Sequence, residues 1–122
     1  MARILLVDDE NCILRTMALV LESEGHSTVC VLNGEEAISQ LDSHEFDLVL
    51  TDIRMAPMDG VELLTELKKV KPEMPVIVVS AYGSDATAAQ CAELGAFEYI
   101  KKPFDVGKVL NAVGRALASS RS

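Results

Sequence analysis

Three carboxylates, a hydroxyl and a lysine stand at corresponding places in the chain, each just after a short strand-like run, apolar in all but the last case. Asp8 and Asp9 follow Ile4-Leu5-Leu6-Val7, Asp52 follows Leu48-Val49-Leu50-Thr51, Ser80 follows Val76-Ile77-Val78-Val79, and Lys102 follows Phe97-Glu98-Tyr99-Ile100-Lys101. Runs of this length suit buried strands and are too short for helices. If the strands are parallel, all these residues reach one rim of a sheet. Carboxylates crowded there repel one another, and an unpaired buried one costs several kcal/mol or takes up a proton. A divalent cation relieves the repulsion, and hard oxygen ligands in a small open site favour Mg2+. Lys102 and the Ser80 hydroxyl add a fixed positive charge and a donor, which suit a phosphoryl group. The chemistry this permits is in-line attack by an Asp52 oxygen on a phosphodonor, giving an acyl phosphate. Lys102 would neutralise charge and Ser80 would donate a hydrogen bond.

The elements between these points supply the parallel arrangement. From about 11 to 24, Ile13, Leu14, Met17, Ala18, Val20 and Leu21 recur at helical spacing, and Gly25 stops the helix. Thr28-Val29-Cys30-Val31 predicts a second strand, and Asn33-Gly34 turns into a helix with Ala37, Ile38 and Leu41 inward. The third strand ends at Asp52, and a helix carrying Val61, Leu63, Leu64, Leu67 and Val70 runs from Gly60 to the stops at Pro72 and Pro75. The fourth strand, the most apolar, is expected at the centre. An Ala-rich helix from about 84 to 94 ends at Gly95 and buries little, so it is expected to be mobile. The fifth strand is of mixed polarity and suits an edge. Asp105 is expected to cap a last helix through Val106, Val109, Leu110, Val113 and Leu117. Strands alternating with helices imply one α/β domain, a doubly wound five-stranded parallel sheet with five helices.

Composition agrees and excludes alternatives. The chain has 122 residues, 49% of them apolar and only 4% aromatic, which suits one domain with an aliphatic core, expected over 1–118 with 119–122 as a tail or linker stub. A net charge of −8 argues against direct nucleic-acid binding or attachment to an anionic membrane. Cys12, Cys30 and Cys91 are odd in number and widely spaced, and read as small core hydrophobes, with no disulfide framework. His26 and His44 are expected at the surface. A cytoplasmic location is expected, since no apolar stretch reaches membrane-spanning length.

Four motifs in order carry a family resemblance across 3–118: Val7-Asp8-Asp9-Glu10; Asp52-Ile53-Arg54-Met55 with Met58-Asp59-Gly60; Ser80-Ala81-Tyr82-Gly83; and Tyr99-Ile100-Lys101-Lys102-Pro103-Phe104. Together they closely resemble the receiver domain of two-component response regulators. The resemblance implies the flavodoxin-like strand order 2-1-3-4-5. It implies Asp52 as phosphoacceptor, Asp8 and Asp9 as the acidic pair holding Mg2+, and Arg54 as the position whose backbone carbonyl completes the metal shell. Ser80 resembles the switch hydroxyl, Tyr99 the switch aromatic and Lys102 the phosphate-facing lysine.

The implied partner is a sensor histidine kinase or phosphotransfer protein. The implied output is a shift of the fourth helix, fifth strand and fifth helix, commonly read as homodimerisation. Such a domain catalyses only its own phosphorylation and dephosphorylation. In one respect the chain departs from similar receivers: Ala56 stands where Pro is usual, with Pro57 next. Arg54 and Tyr82 are bulky neighbours expected to slow attack by water. A haloacid-dehalogenase-like phosphohydrolase would need a second acid where Arg54 stands, and an FMN-binding flavodoxin would need Gly, Ser and Thr where Asp8-Asp9-Glu10 stand. A receiver acting as an unphosphorylated interaction domain is the remaining alternative.

Overall fold

A computed structural model describes residues 2–8, 11–51, 60–70, 74–80, 85–101 and 106–120. Strands and helices alternate throughout: β1 (Arg3–Val7), α1 (Asn11–Ser23), β2 (Ser27–Val31), α2 (Gly34–Ser43), β3 (Leu48–Thr51), α3 (Gly60–Val70), β4 (Val76–Ser80), α4 (Asp85–Glu93), β5 (Glu98–Lys101) and α5 (Val106–Ser120). All strand pairs are parallel and the order is β2-β1-β3-β4-β5.

Side-chain alternation along the strands creates two cores. Ile4, Leu6, Leu48, Leu50, Ile77, Val79 and Ile100 meet Met17 and Leu21 of α1 and Val109, Ala112, Val113, Ala116 and Leu117 of α5. The intervening residues Leu5, Val7, Val49, Val76 and Val78 meet Ala37 and Leu41 of α2, Leu64 and Leu67 of α3 and Cys91 of α4. Because helices cover both faces, β1, β3 and β4 are apolar at nearly every position. Each fully buried aliphatic side chain contributes about 1.5–3 kcal/mol. That sum is what holds the strand ends in register beneath the rim.

Two helices end alike. After α1, Gly25 (φ +89°) donates to the Glu22 carbonyl at 3.0 Å and His26 to the Leu21 carbonyl at 3.2 Å. After α4, Gly95 (φ +102°) donates to Ala92 and Ala96 donates to Cys91, both at 3.0 Å. Each is the paired-bond stop that a left-handed residue permits, and each lets the chain reverse into the next strand.

Several expectations need correction. The centre of the sheet is β3; β4 lies beside it, next to the edge strand β5. Apolarity could not rank them, because every strand interior to a two-layered sheet is buried on both faces. Cys30 is exposed, since β2 is the other edge and its burial alternates weakly, whereas Cys91 is fully buried. The Cys12 side chain lies outside the description. His44 is exposed, but His26 is half-buried and accepts from the Ala2 backbone N–H at Nδ1 (3.3 Å). The expected cap Asp105 lies outside the described residues.

Candidate functional site

The register brings four strand ends to one rim, with β4 and β5 running two residues past the β1 and β3 ends because Thr51 is opposite Val78. Val7 is opposite Thr51 across the β1–β3 pair, and Ser80 is opposite Lys101 across the β4–β5 pair. Asp8 is therefore the first residue beyond β1, beside the point where β3 ends and the chain passes to Asp52. This is the topological switch point, where α1 leaves toward one face and α3 toward the other, and where ligands bind in open α/β sheets.

Asp8 is only 5% exposed. Its backbone N–H donates to the Val31 carbonyl at 3.2 Å, which fixes the residue against the end of β2. The β2 end is held in turn by a reciprocal cap. Asn33 is extended (φ −156°) and its Oδ1 accepts from the Glu36 N–H, while Glu36 Oε2 accepts from the Leu32 N–H, each at 2.9 Å. A buried carboxylate at a strand end is expensive unless positive charge or donors compensate it. Asp8 is thus a buried acid at the rim and not a solvated one.

Thr51, the last residue of β3, is 1% exposed and is the one other buried polar residue among those described. Sequence reasoning passed over it. The signal was present, because a polar residue interrupts the apolar run directly before Asp52.

Tyr99 is half-buried and packs against the cluster under α2, α3 and α4, opposite Val78. It thus lies on the α4 side of the sheet, two residues short of the end of β5. Ser80 is placed by its backbone as the last residue of β4. Asp9, Asp52, Arg54 and Lys102 lie outside the described residues, as do Ala56, Pro57 and Tyr82. Of the expected metal ligands, Asp8 alone is described, and no cluster of three metal-binding side chains occurs among the described residues. The hard, anionic oxygens of Asp8 fit Mg2+, and the chain's neighbouring acids would complete the set.

Beside β5, Arg115 of α5 is held from three sides. Its Nη2 meets Glu98 Oε1 of β5 at 2.7 Å, its Nε donates to Asn111 Oδ1 at 2.6 Å, and its guanidinium lies 5.9 Å from the Phe97 ring centre. The pair is partly exposed, so its worth is modest, but it fixes α5 against β5.

Fold and strand order are those of a receiver domain, and comparison with known proteins bears this out: the response regulator receiver domain model matches residues 4–114. The chain belongs to that family. It is 40% identical over 119 residues to the transcriptional regulatory protein GlrR of Escherichia coli, and 39% identical over 115 residues to the regulatory protein AtoC of the same organism. It covers 98% and 94% of itself in these matches but only 27% and 25% of the relatives, so it spans about a quarter of their length. Among solved structures, a CheY-like receiver domain protein from Methanospirillum hungatei superposes with a TM-score of 0.95 at 31% identity, covering 99% of this chain and 97% of that one. NtrX from Brucella abortus, in complex with ADP, gives 0.93 at 36% identity, over 98% of this chain and 28% of that one. No helix among the described residues is long and apolar enough to cross a membrane.

Proposed function

We propose that this domain is a phospho-accepting switch in which Asp52 takes a phosphoryl group from a histidine kinase, a phosphotransfer protein or a small acyl phosphate. The observation that carries the reading is the burial of Asp8 at the β1–β3 switch point, one residue beyond the Val7–Thr51 pair. Asp8, Asp9, Asp52 and the Arg54 carbonyl would hold Mg2+. When bound, the ion offsets the charge that develops on the transferred phosphoryl group.

The rest is done by the chain. An oxygen of Asp52 attacks the phosphorus in line, the bond to the donor's leaving group breaks, and the leaving group departs with its electron pair. Lys102 balances the equatorial charge and the Ser80 hydroxyl donates to a phosphoryl oxygen. Hydrolysis by water restores the carboxylate, with Arg54 and Tyr82 limiting its access. The domain turns over nothing but its own acyl phosphate.

Switching follows from position. Ser80 ends β4 and Tyr99 lies on the neighbouring strand, on the side of the sheet that carries α4. Drawing Ser80 toward the phosphoryl group frees room for Tyr99 to move inward. The face of α4, β5 and α5 then repacks, biasing an equilibrium that exists before phosphorylation. That face is the proposed output surface, read by a second copy or by another part of a regulator. The relatives are transcriptional regulators, so control of transcription is the proposed consequence, with DNA contacted elsewhere than on this acidic domain.

The test is intact mass after incubation with acetyl phosphate and Mg2+. A gain of one phosphoryl group is expected in the parent, and none in Asp52→Asn or in the parent with excess EDTA. An equal gain in Asp52→Asn would overturn the assignment. No gain from acetyl phosphate or from a panel of kinases would favour the unphosphorylated interaction domain.

A further inference from the structure

We infer that α4 is hinged at its carboxyl end, where Lys68 of α3 braces the Gly95 turn, so that switching moves the amino end of the helix about a fixed point. This inference rests on the phospho-switch reading and adds where the moving helix is anchored.

Four observations converge on that end. The stop after α4 is closed by two backbone hydrogen bonds, Gly95 to Ala92 and Ala96 to Cys91, both 3.0 Å. The next residue, Phe97, donates to the Val76 carbonyl at 2.7 Å, tying the turn to the first residue of β4. Cys91, in the last turn of α4, is fully buried in the core beneath α2 and α3, while Ala89, Gln90, Ala92 and Glu93 are exposed. The fourth is Lys68. Its Nζ donates to the Met74 carbonyl at 2.9 Å, and its methylenes run past Gly95, where an added Cβ would sit 3.1 Å from Cε and 3.4 Å from Cδ. One half-buried side chain thus ties the last turn of α3, the approach to β4 and the α4–β5 turn together, its stem covering backbone while its amine reaches a carbonyl.

Topology gives the brace its consequence. The carboxyl end of α4 lies with Met74 and Val76 at the rim opposite the candidate site, whereas its amino end follows Ser80 at the site itself. A push at the Ser80 rim therefore acts on the end that this brace does not hold. Backbone rotation is best absorbed at Gly95, whose φ of +102° already lies where side chains are disfavoured.

Amide hydrogen exchange on the full chain tests this in two arms. In the first, the parent is compared with and without Mg2+ and beryllium fluoride, a phosphoryl mimic. Exchange in the amino-terminal half of α4 should change by about tenfold or more, while Gly95, Ala96 and Phe97 change by less than about twofold. Equal changes at both ends would overturn the hinge. In the second arm, unmodified Lys68→Ala should exchange Gly95, Ala96 and Phe97 roughly fivefold faster than the parent, the loss of one hydrogen bond. Lys68→Met should show a smaller part of the effect, and the amides of Leu50 and Val78 report whether the whole domain has loosened. Unchanged rates in Lys68→Ala would overturn the brace. Failure of the phospho-switch reading is separable, because it shows as no phosphoryl gain by mass and leaves the second arm intact.

Discussion

Replacing glycine by alanine should have opposite effects at two places in this domain. Gly114 lies inside the long helix α5, is exposed, and a Cβ built there meets nothing within 4 Å. Alanine removes the entropic cost of glycine at no steric charge, worth about 0.5–1 kcal/mol of stability. Gly95 holds φ +102°, and its Cβ would meet Lys68 Cε at 3.1 Å. The contact itself can relax, because Cε is on a flexible stem. The backbone cannot, and forcing an L-residue into the left-handed region costs about 1–2 kcal/mol. Urea unfolding of the two variants should therefore separate them by about 1.5–3 kcal/mol at unchanged m-value. Gly114→Ala should melt about 2–5 °C above the parent and Gly95→Ala a similar or larger interval below it. A Gly95→Ala protein as stable as the parent would refute the claim that this turn depends on left-handed geometry.

Cys30 is exposed on β2, yet its thiol pKa is raised, first by partial desolvation and then by Glu22, which Thr28 Oγ1 holds with a 2.7 Å hydrogen bond. Peptide-resolved alkylation at pH 8 should be slower than for a free thiol and should rise past pH 9; Glu22→Gln should speed it modestly, and a rate matching glutathione would contradict the assignment. Burial lowers the pKa of Lys68 below its ordinary 10.5, so the unfolded chain binds the extra proton in the window just below that value. Parent stability should therefore rise relative to Lys68→Met as pH climbs toward 10, and a constant gap would refute it. Asn33→Ala should cost about 1 kcal/mol in urea unfolding by removing the cap on α2.

Much of this was legible in the sequence. Continuous apolar runs located β1, β3 and β4, because strands buried on both faces carry no polar alternation, while the edge strands β2 and β5 were located by short β-type runs of more mixed character. Gly25 and Gly95 marked helix stops that the structure builds as paired-bond turns. Placement within the sheet was less legible. The exposure of Cys30 follows from β2 being an edge, and the central position of β3 follows from crossover order; neither is a property of the strand's own residues. Lys68 shows the limit most clearly. In sequence it is one of two lysines in the last turn of α3, an ordinary complement to the helix dipole. Only three-dimensional contact shows its stem over Gly95 and its amine on Met74. The burial of Asp8 was likewise not legible, since the same residue type at a strand end could have been a solvated cap.

The most direct test of the central claim is to trap the phosphorylated group in place. After reaction with acetyl phosphate and Mg2+, borohydride reduction converts an aspartyl phosphate to homoserine, which peptide sequencing locates. Homoserine at position 52 and at no other acid is the predicted result. Homoserine at Asp8 or Asp9, or an unreduced phosphoester on Ser80, would contradict the account.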